Sequence, residues 1–539
     1  MHLTTLDWFI VAAYLILVIT IGMRVGRKQT TSEGYFLAGR RLRWPFIGAS
    51  IYAANISTEH FVGLAGTAYA IGLAIGVYEW IAVFCLVPLI VLFLPFYMIN
   101  KIYTVPEFLE RRFSPGVRLL FSGFMLAMSV VAKVAISLWA AAIVFHEVLG
   151  WNQLTVIWVV GLLTALYTMK GGLGAVVYTD AVQTVVLLMA AVLLTTIGLH
   201  TIGGFTALQA RINNPAMFSM VRPATDPNLP WPGIFFGVFL VGAFYFSADQ
   251  VLVQRVFAAR DLNEGRKGAV FCAFLKTLNP VILVLPGIIA KALYPNLEKA
   301  DDAYPTLLKN LMPAGLLGLT IAGLTAALMG HLSATYNSIA TLFTRDFYLK
   351  FRPEATQSRQ ILVGRIAVLC VFIMGAFWAP IIGGYKSLFI YLQNVQAYLM
   401  MPFACIFFFA VLWKRINAPG VMVCLIASFI LCPVMMYNNQ LKPEDQWFQL
   451  LNTPLLTPWL HRAMITTLFC VILLVAVSLL TPKPAAARLS NTTVHSLWGR
   501  ARDAETEAML HPKVSLLKDY RLWLTIVCVG TAWAWYVMR

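Results

Sequence analysis

Charge is what this chain of 539 residues has least of. Only 12% of its residues are Asp, Glu, Lys or Arg, about half the share found in an ordinary soluble domain. Long polar stretches are missing too: the longest, near 482–519, is under about 40 residues, too little for a soluble catalytic domain. Paired cysteine spacings are absent. The eight cysteines (Cys85, Cys272, Cys370, Cys405, Cys424, Cys432, Cys470 and Cys528) lie in apolar runs and read as small core residues, with neither a disulfide framework nor a zinc site indicated. The sequence has no nucleophile–base motif and no cluster of metal ligands, which argues against an enzyme. The first apolar run, Trp8–Met23, has no basic residue before it and no small-residue cleavage site, so it reads as a retained span rather than a signal peptide.

What fills the chain instead is apolar sequence, 60% of all residues, with a mean hydropathy of +0.77. Runs of roughly 20 apolar residues, the length a helix needs to cross a bilayer, recur from end to end. The reading is an all-α integral membrane protein with about fourteen transmembrane helices. These lie near 7–24, 45–70, 76–99, 117–146, 154–170, 176–200, 232–254, 268–293, 313–345, 361–381, 385–412, 418–436, 461–481 and 520–537.

The net charge of +17 is a topology signal rather than a face for a polyanion. Basic residues gather in RVGRKQ (24–29), GRRLR (39–43), LERRF (109–113), RDLNEGRK (260–267), YLKFRPEATQSR (348–359), WKR (413–415) and the 482–521 segment. If the spans alternate, all of these fall on one side, the cytoplasmic one. That places both termini outside, in a multi-pass cell membrane protein of the bacterial inner-membrane kind. No nucleic acid and no obligate protein partner is implied; the bilayer itself is the partner. The segment TVPEFLERR (104–112), with Thr104 as N-cap and Pro106 in the first turn, reads as a short surface helix serving as a connector.

One span is out of character. ASIYAANISTEHFVG (49–63) carries Asn55, Ser57, Thr58, Glu59 and His60 in its middle. Flanking apolar pieces of about ten and sixteen residues are each too short to cross alone. A backbone that leaves helical geometry there frees N–H and C=O groups, which inside a bilayer is tolerated only against protein or a wet cavity. GAFYFSADQVLVQR (242–255), with Asp249 and Gln250, is a second interrupted span. Glu79, Lys133, Asp180 and Lys276 add ionisable groups at membrane depth, each costing roughly 2.5–3.5 kcal/mol at mid-bilayer unless paired or hydrated. Two broken helices and several buried charges predict a polar cavity of the kind that transporters build.

These residues carry a resemblance. FLAGRRL (ending at Leu42), GASIYAANISTEHFVGLAGTAYAIGLAIGVYEW (48–80), TVPEFLERRF (104–113), GGLGAVVYTDAVQ (171–183), FYFSADQVLVQRVFAAR (244–260), GAVFCAFLK (268–276), NSIATLFTRDFY (337–348) and WKRINAPG (413–420) resemble the solute:sodium symporter family, in particular its sodium/glucose cotransporter branch. The resemblance implies a LeuT-like core of two inverted five-helix repeats. On that basis 1–34 holds the first span and a cytoplasmic loop, 35–200 the first repeat, 201–231 an external loop, 232–412 the second repeat, and 413–539 three peripheral spans with a basic loop. It implies alternating access around a sugar site formed by Asn55, His60, Glu79, Tyr245, Lys276 and Gln393, with Tyr78 and Phe246 beside the gate. A pyranose offers hydroxyls that donate and accept, which suits amide, imidazole, ammonium and carboxylate partners. A monocarboxylate would more naturally use Arg or a helix N-terminus.

The resemblance also implies a cation site formed by carbonyls of Ala53, Ile56 and Ala327 and two hydroxyls of the ninth span. Here those hydroxyl positions are Gly330 and His331, poor ligands for a hard cation. Transported Na⁺ is therefore in question. His331 suggests a proton-responsive site, an uncoupled carrier is the plainer alternative, and Asp180 would lie on an inner cation path. Ala82 and Gly242 stand where relatives can carry Ser and Asn, which alters discrimination among sugars. No cofactor is implied. The expected function is import of a glucose- or galactose-like monosaccharide by symport. Another polyol such as an inositol, a nucleoside or a sialic acid-type solute is the alternative on the same scaffold. A sensor is less favoured, because no signalling domain is attached; steep saturation and counterflow would exclude a channel.

The charge asymmetry generates a prediction. Alkaline phosphatase fused at the carboxyl terminus is expected to be active outside the cytoplasm, and the same enzyme fused after Arg112 to be inactive. Equal activity of both fusions would remove the assigned topology.

Overall fold

The computed structural model describes residues 3–26, 31–383, 388–439, 441–448, 453–498, 504–510 and 514–539. Among these the regular structure is all helical, apart from one isolated β-bridge between Leu42 and Ala259. Among the described residues nine helices are long and apolar enough to cross a membrane, or up to eleven if each of two bent pairs is one span. The reading of fourteen differs because it divides one very long helix and includes Trp44–Ile71 and Tyr520–Val537 as spans.

That long helix, Gln153–Ile202, has 50 residues. Straight, it would measure about 75 Å, far beyond the roughly 30 Å apolar thickness of a bilayer. Gly172 breaks it, with φ 61° and ψ −173°, a conformation open to glycine. The break lies against Tyr35, whose carbonyl oxygen would stand 2.7 Å from a Cβ at position 172.

We number the elements that shape the interior in chain order. α1 is Thr5–Gly26. The first broken span consists of α2, Trp44–Asn55, and α3, His60–Ile71. α4 is Leu73–Ile99, α5 Val105–Arg112 and α6 Pro115–Leu149. The second broken span is α7, Gly233–Ala248, with α8, Gln250–Phe257, bent by 45°. A second bent pair follows, α9 (Leu262–Thr277) and α10 (Pro280–Leu293), at 40°. α11 is Leu316–Phe351, α12 Leu388–Leu412 and α13 Trp459–Leu480.

The two broken spans share one backbone solution. α2 ends at Asn55, and Ile56 turns out of the helix with φ −91° and ψ 119°. α7 ends at Ala248, and Asp249 turns out with φ −74° and ψ 119°. Asp249 then restarts the helix as an N-cap, its carboxylate accepting from the Val251 N–H at 2.9 Å. α1 docks by the same logic: buried Asp7 accepts from the N–H groups of Gly315 (2.8 Å) and Gly318 (2.7 Å), at the N-terminal end of α11.

α5 is more than the connector its sequence suggested. Thr104 does cap it, accepting from the Glu107 N–H at 3.3 Å. Its Arg112, however, is 1% exposed and donates to the carbonyls of Ala410 (2.8 Å), Trp413 (3.2 Å) and Ile416 (3.0 Å), closing off the last turn of α12. Burial pulls this guanidinium down to about 10. Nearby, Asp346 of α11 gathers Thr104 (2.8 Å), Ser122 (2.7 Å) and Arg118 (2.5 Å), so α5, α6 and α11 are fastened together on the side of the basic loops.

The cysteine reading needs one correction. Cys85, Cys272, Cys424, Cys432 and Cys470 are buried, but Cys370 is exposed and Cys405 and Cys528 are intermediate. A span at the bundle's edge turns one face outward, so an apolar run alone does not make a residue core.

Gly172→Ala is expected to lower stability by about 1–3 kcal/mol, since a Cβ at that angle is strained and also meets Tyr35. Thermal unfolding in detergent measures this; an unchanged midpoint would show that the kink does not depend on glycine.

Candidate functional site

The polar middles of the broken spans meet across a common cavity. All six residues assigned to the substrate by resemblance line it: Asn55, His60, Glu79, Tyr245, Lys276 and Gln393. Tyr78 and Phe246 line it as well, as do Ala82 and Gly242. At Gly242 a Cβ would stand 2.7 Å from Cys85 Sγ, so any side chain there would require that thiol to move. A second cavity shares Tyr78, Gln393 and Trp459 with the first. It continues to Asn228 and Leu229 in the 201–231 loop, on the side opposite the Asp346 cluster.

Both ammonium groups that line the cavity are paired with carboxylates. Lys276 Nζ from α9 donates to Glu79 Oε2 from α4 at 2.6 Å. Asn279, at the bend between α9 and α10, donates to the same oxygen at 2.6 Å and accepts from Tyr52 OH of α2 at 2.7 Å. This chain of bonds links three spans at the cavity wall. A second pair joins Lys133 of α6 to Asp249 at the second break, 2.5 Å apart. Lys133 also stands 5.7 Å from the centre of the Tyr245 ring, and the Tyr245 and Phe246 rings meet edge to face at 5.5 Å. At the first break, Ser57 donates to Ser137 and Ser137 to Glu59, each at 3.0 Å. His60 Nδ1 stands 3.8 Å from Glu59.

The residues assigned to a cation divide. His331 reaches the cavity, while Ala53, Ile56, Ala327 and Gly330 are buried outside its lining. His331 Nδ1 meets the Ala54 carbonyl at 2.6 Å, at the end of α2. Asp180 is also buried outside the cavity. It accepts from Ser50 Oγ at 2.5 Å and faces Arg255 of α8 at 3.7 Å.

Sequence reasoning passed over several residues at the cavity wall and behind it. Glu59 stood in the quoted stretch as its one anion but was given no role. Lys133 and Asp249 were each visible as charges at membrane depth, yet nothing in the sequence pairs positions 116 residues apart. Arg255 was missed as the partner of Asp180. Trp459 and Leu460 of α13 also line the cavity, and no local signal marks them.

The Glu79–Lys276 pair generates a prediction. Lys276→Ala leaves a buried carboxylate unpaired and should destabilise the fold by about 3–5 kcal/mol. Adding Glu79→Gln should recover part of that loss. A double variant as unstable as the sum of the single ones, in detergent unfolding, would mean the two side chains do not interact.

The comparisons follow the geometry. A model of the family described as "Sodium:solute symporter family" matches residues 35–428. The chain is 35% identical over 552 residues to the sodium/myo-inositol cotransporter of Bos taurus, covering 92% of this chain and 76% of the relative. It is 33% identical over 526 residues to sodium/glucose cotransporter 1 of Ovis aries, covering 89% and 79%. Among solved structures it is similar to a Na⁺-coupled sialic acid symporter in a substrate-bound outward-open state. That match has a TM-score of 0.76 at 20% identity, with 89% of this chain and 99% of that one covered. Mhp1, a nucleobase-cation-symport-1 family transporter, matches with a TM-score of 0.52 at 16% identity over 86% and 98%. Those two likenesses concern the fold alone, which is all-helical and LeuT-like. With the match extending over most of its length and both broken spans inside it, the chain belongs to the sodium:solute symporter family and is a membrane transporter rather than an enzyme.

Proposed function

We propose that this chain imports a neutral polyhydroxylated ring by alternating access: a glucose- or galactose-like monosaccharide or a cyclic polyol. The observation that carries this reading is the pairing of charges at the cavity wall. Lys276 is bonded to Glu79 and Lys133 to Asp249, so neither ammonium is left over for an anionic solute. An uncharged guest that donates and accepts many hydrogen bonds suits such a wall, because it can exchange bonds with ion pairs without stranding a charge.

In this reading Asn55, His60, Glu79, Lys276 and Gln393 bond ring hydroxyls, and Tyr245 lies over the ring face with Tyr78 and Phe246 beside it. The second cavity supplies the path from outside, meeting the first at Tyr78, Gln393 and Trp459. The Asp346 cluster keeps the cytoplasmic side fastened in this conformation. Support for a sugar or cyclic polyol over a nucleoside or sialic acid also comes from the relatives named for myo-inositol and glucose. Two five-helix repeats, 35–200 and 232–412, each opening with a broken span of matching backbone geometry, would supply the two halves that rock. The termini lie outside on the charge argument, and the three spans after residue 412 surround the core.

Labelled glucose, galactose and myo-inositol offered to proteoliposomes test this, with Na⁺ and pH gradients imposed separately. At least one solute should enter saturably and show counterflow; linear, non-exchanging entry of all three would remove the reading. Gln393→Ala, which leaves both ion pairs in place, should raise KM about 10-fold with the fold intact, the loss of one or two solute hydrogen bonds.

A further inference from the structure

At the first break the peptide groups of α2 end inside the protein. A helix leaves its last carbonyls without intrahelical partners. The Tyr52 carbonyl takes the Ile56 N–H at 2.9 Å, while those of Ala53, Ala54 and Asn55 point past the end of α2. This is the negative end of the helix dipole, and such ends in broken membrane helices hold cations. Here a side chain of the protein stands at it. His331, on α11, is 3% exposed and sets Nδ1 2.6 Å from the Ala54 oxygen. A carbonyl oxygen only accepts, so Nδ1 carries the proton and the uncharged ring already supplies the donor.

The neighbouring position completes the arrangement. A Cβ at Gly330 would lie 3.5 Å from the Ala53 oxygen and 2.9 Å from Gln183 Oε1. The turn of α11 that faces these carbonyls thus brings no hydroxyl to them, only an imidazole donor. Imidazole and a bare Cα cannot supply the oxygen shell a hard monovalent cation needs.

We infer that the His331 imidazole permanently takes the place of a coupling cation at the carbonyl end of α2, tethering that half-helix to α11 and making solute binding at this site indifferent to sodium. The inference deepens the proposed carrier function, and its test is arranged so that the two can fail separately. A tether built into the chain is present in every state, whereas an ion binds and leaves. It therefore holds α2 in place without making occupancy depend on a gradient.

The experiment uses the purified full chain in detergent, without any sugar, and reads thermal midpoints in NaCl against KCl. An error in the assigned solute therefore does not touch it. The wild type should melt at the same temperature in both salts. Gly330→Ser combined with His331→Ser should gain a sodium-specific rise, following the mass-action stabilisation of a ligand-bound native state. Where a solute is transported, its affinity in that variant should rise with sodium by about 5- to 150-fold. Two further variants keep the test decisive if the double variant does not fold. His331→Gln, which retains an N–H donor, should keep the wild-type midpoint in KCl, and His331→Ala should lower it. A sodium-specific rise in the wild type would overturn the inference. So would a folded double variant blind to sodium, or His331→Ala and His331→Gln melting alike in KCl.

Discussion

A peptide group released from a helix inside a bilayer has only protein or trapped water to bond with, and the breaks at Ile56 and Asp249 force the rest of the molecule to answer that need. The penalty for leaving such groups bare is several kcal/mol each. At the second break the answer is local: Asp249 caps the restarted helix and is itself balanced by Lys133 from another span. At the first break the answers come from a distance, with Ser137 bonding Glu59 and His331 bonding the Ala54 carbonyl. Once the loose ends are pinned from neighbouring spans, those spans are drawn around a common space, and the cavity is what remains between them.

The same economy explains why neither ammonium at the cavity wall stands alone. A charge at membrane depth is tolerable when paired, and each ammonium at the wall has its carboxylate within hydrogen-bond reach. Ion pairs placed this way fix the approach of α4 to α9 and of α6 to the second break. They also present a guest with oriented dipoles rather than with net charge. Rigidity of this kind belongs at a binding site, where groups held by their neighbours lose little freedom when a solute arrives.

The ends of the path are built differently. Toward the basic loops, Arg112 covers the last carbonyls of α12, and Asp346 ties α5, α6 and α11 through three separate partners. Toward the other side, the space continues past Tyr78, Gln393 and Trp459 into a second cavity. In the carrier proposed above, exchanging the Asp346 bonds for others would be part of opening that end.

The sequence by itself determined the helical membrane class, because apolar runs of bilayer length are local properties that no packing can reverse. It also determined where the helices break, since the polar middles of ASIYAANISTEHFVG and GAFYFSADQVLVQR interrupt runs that could not otherwise be interrupted. The six proposed solute residues and the altered pair Gly330 and His331 were legible through motif position. Tertiary structure alone decided the partners. The pairings of Lys133 with Asp249, Arg255 with Asp180, and His331 with Ala54 join residues more than seventy positions apart, which periodicity and spacing do not relate. The same holds for Trp459, an unremarkable aromatic at a helix start until α13 sets it against the cavity. Local sequence fixes which groups cannot be left bare; which group covers which is settled only when the spans pack.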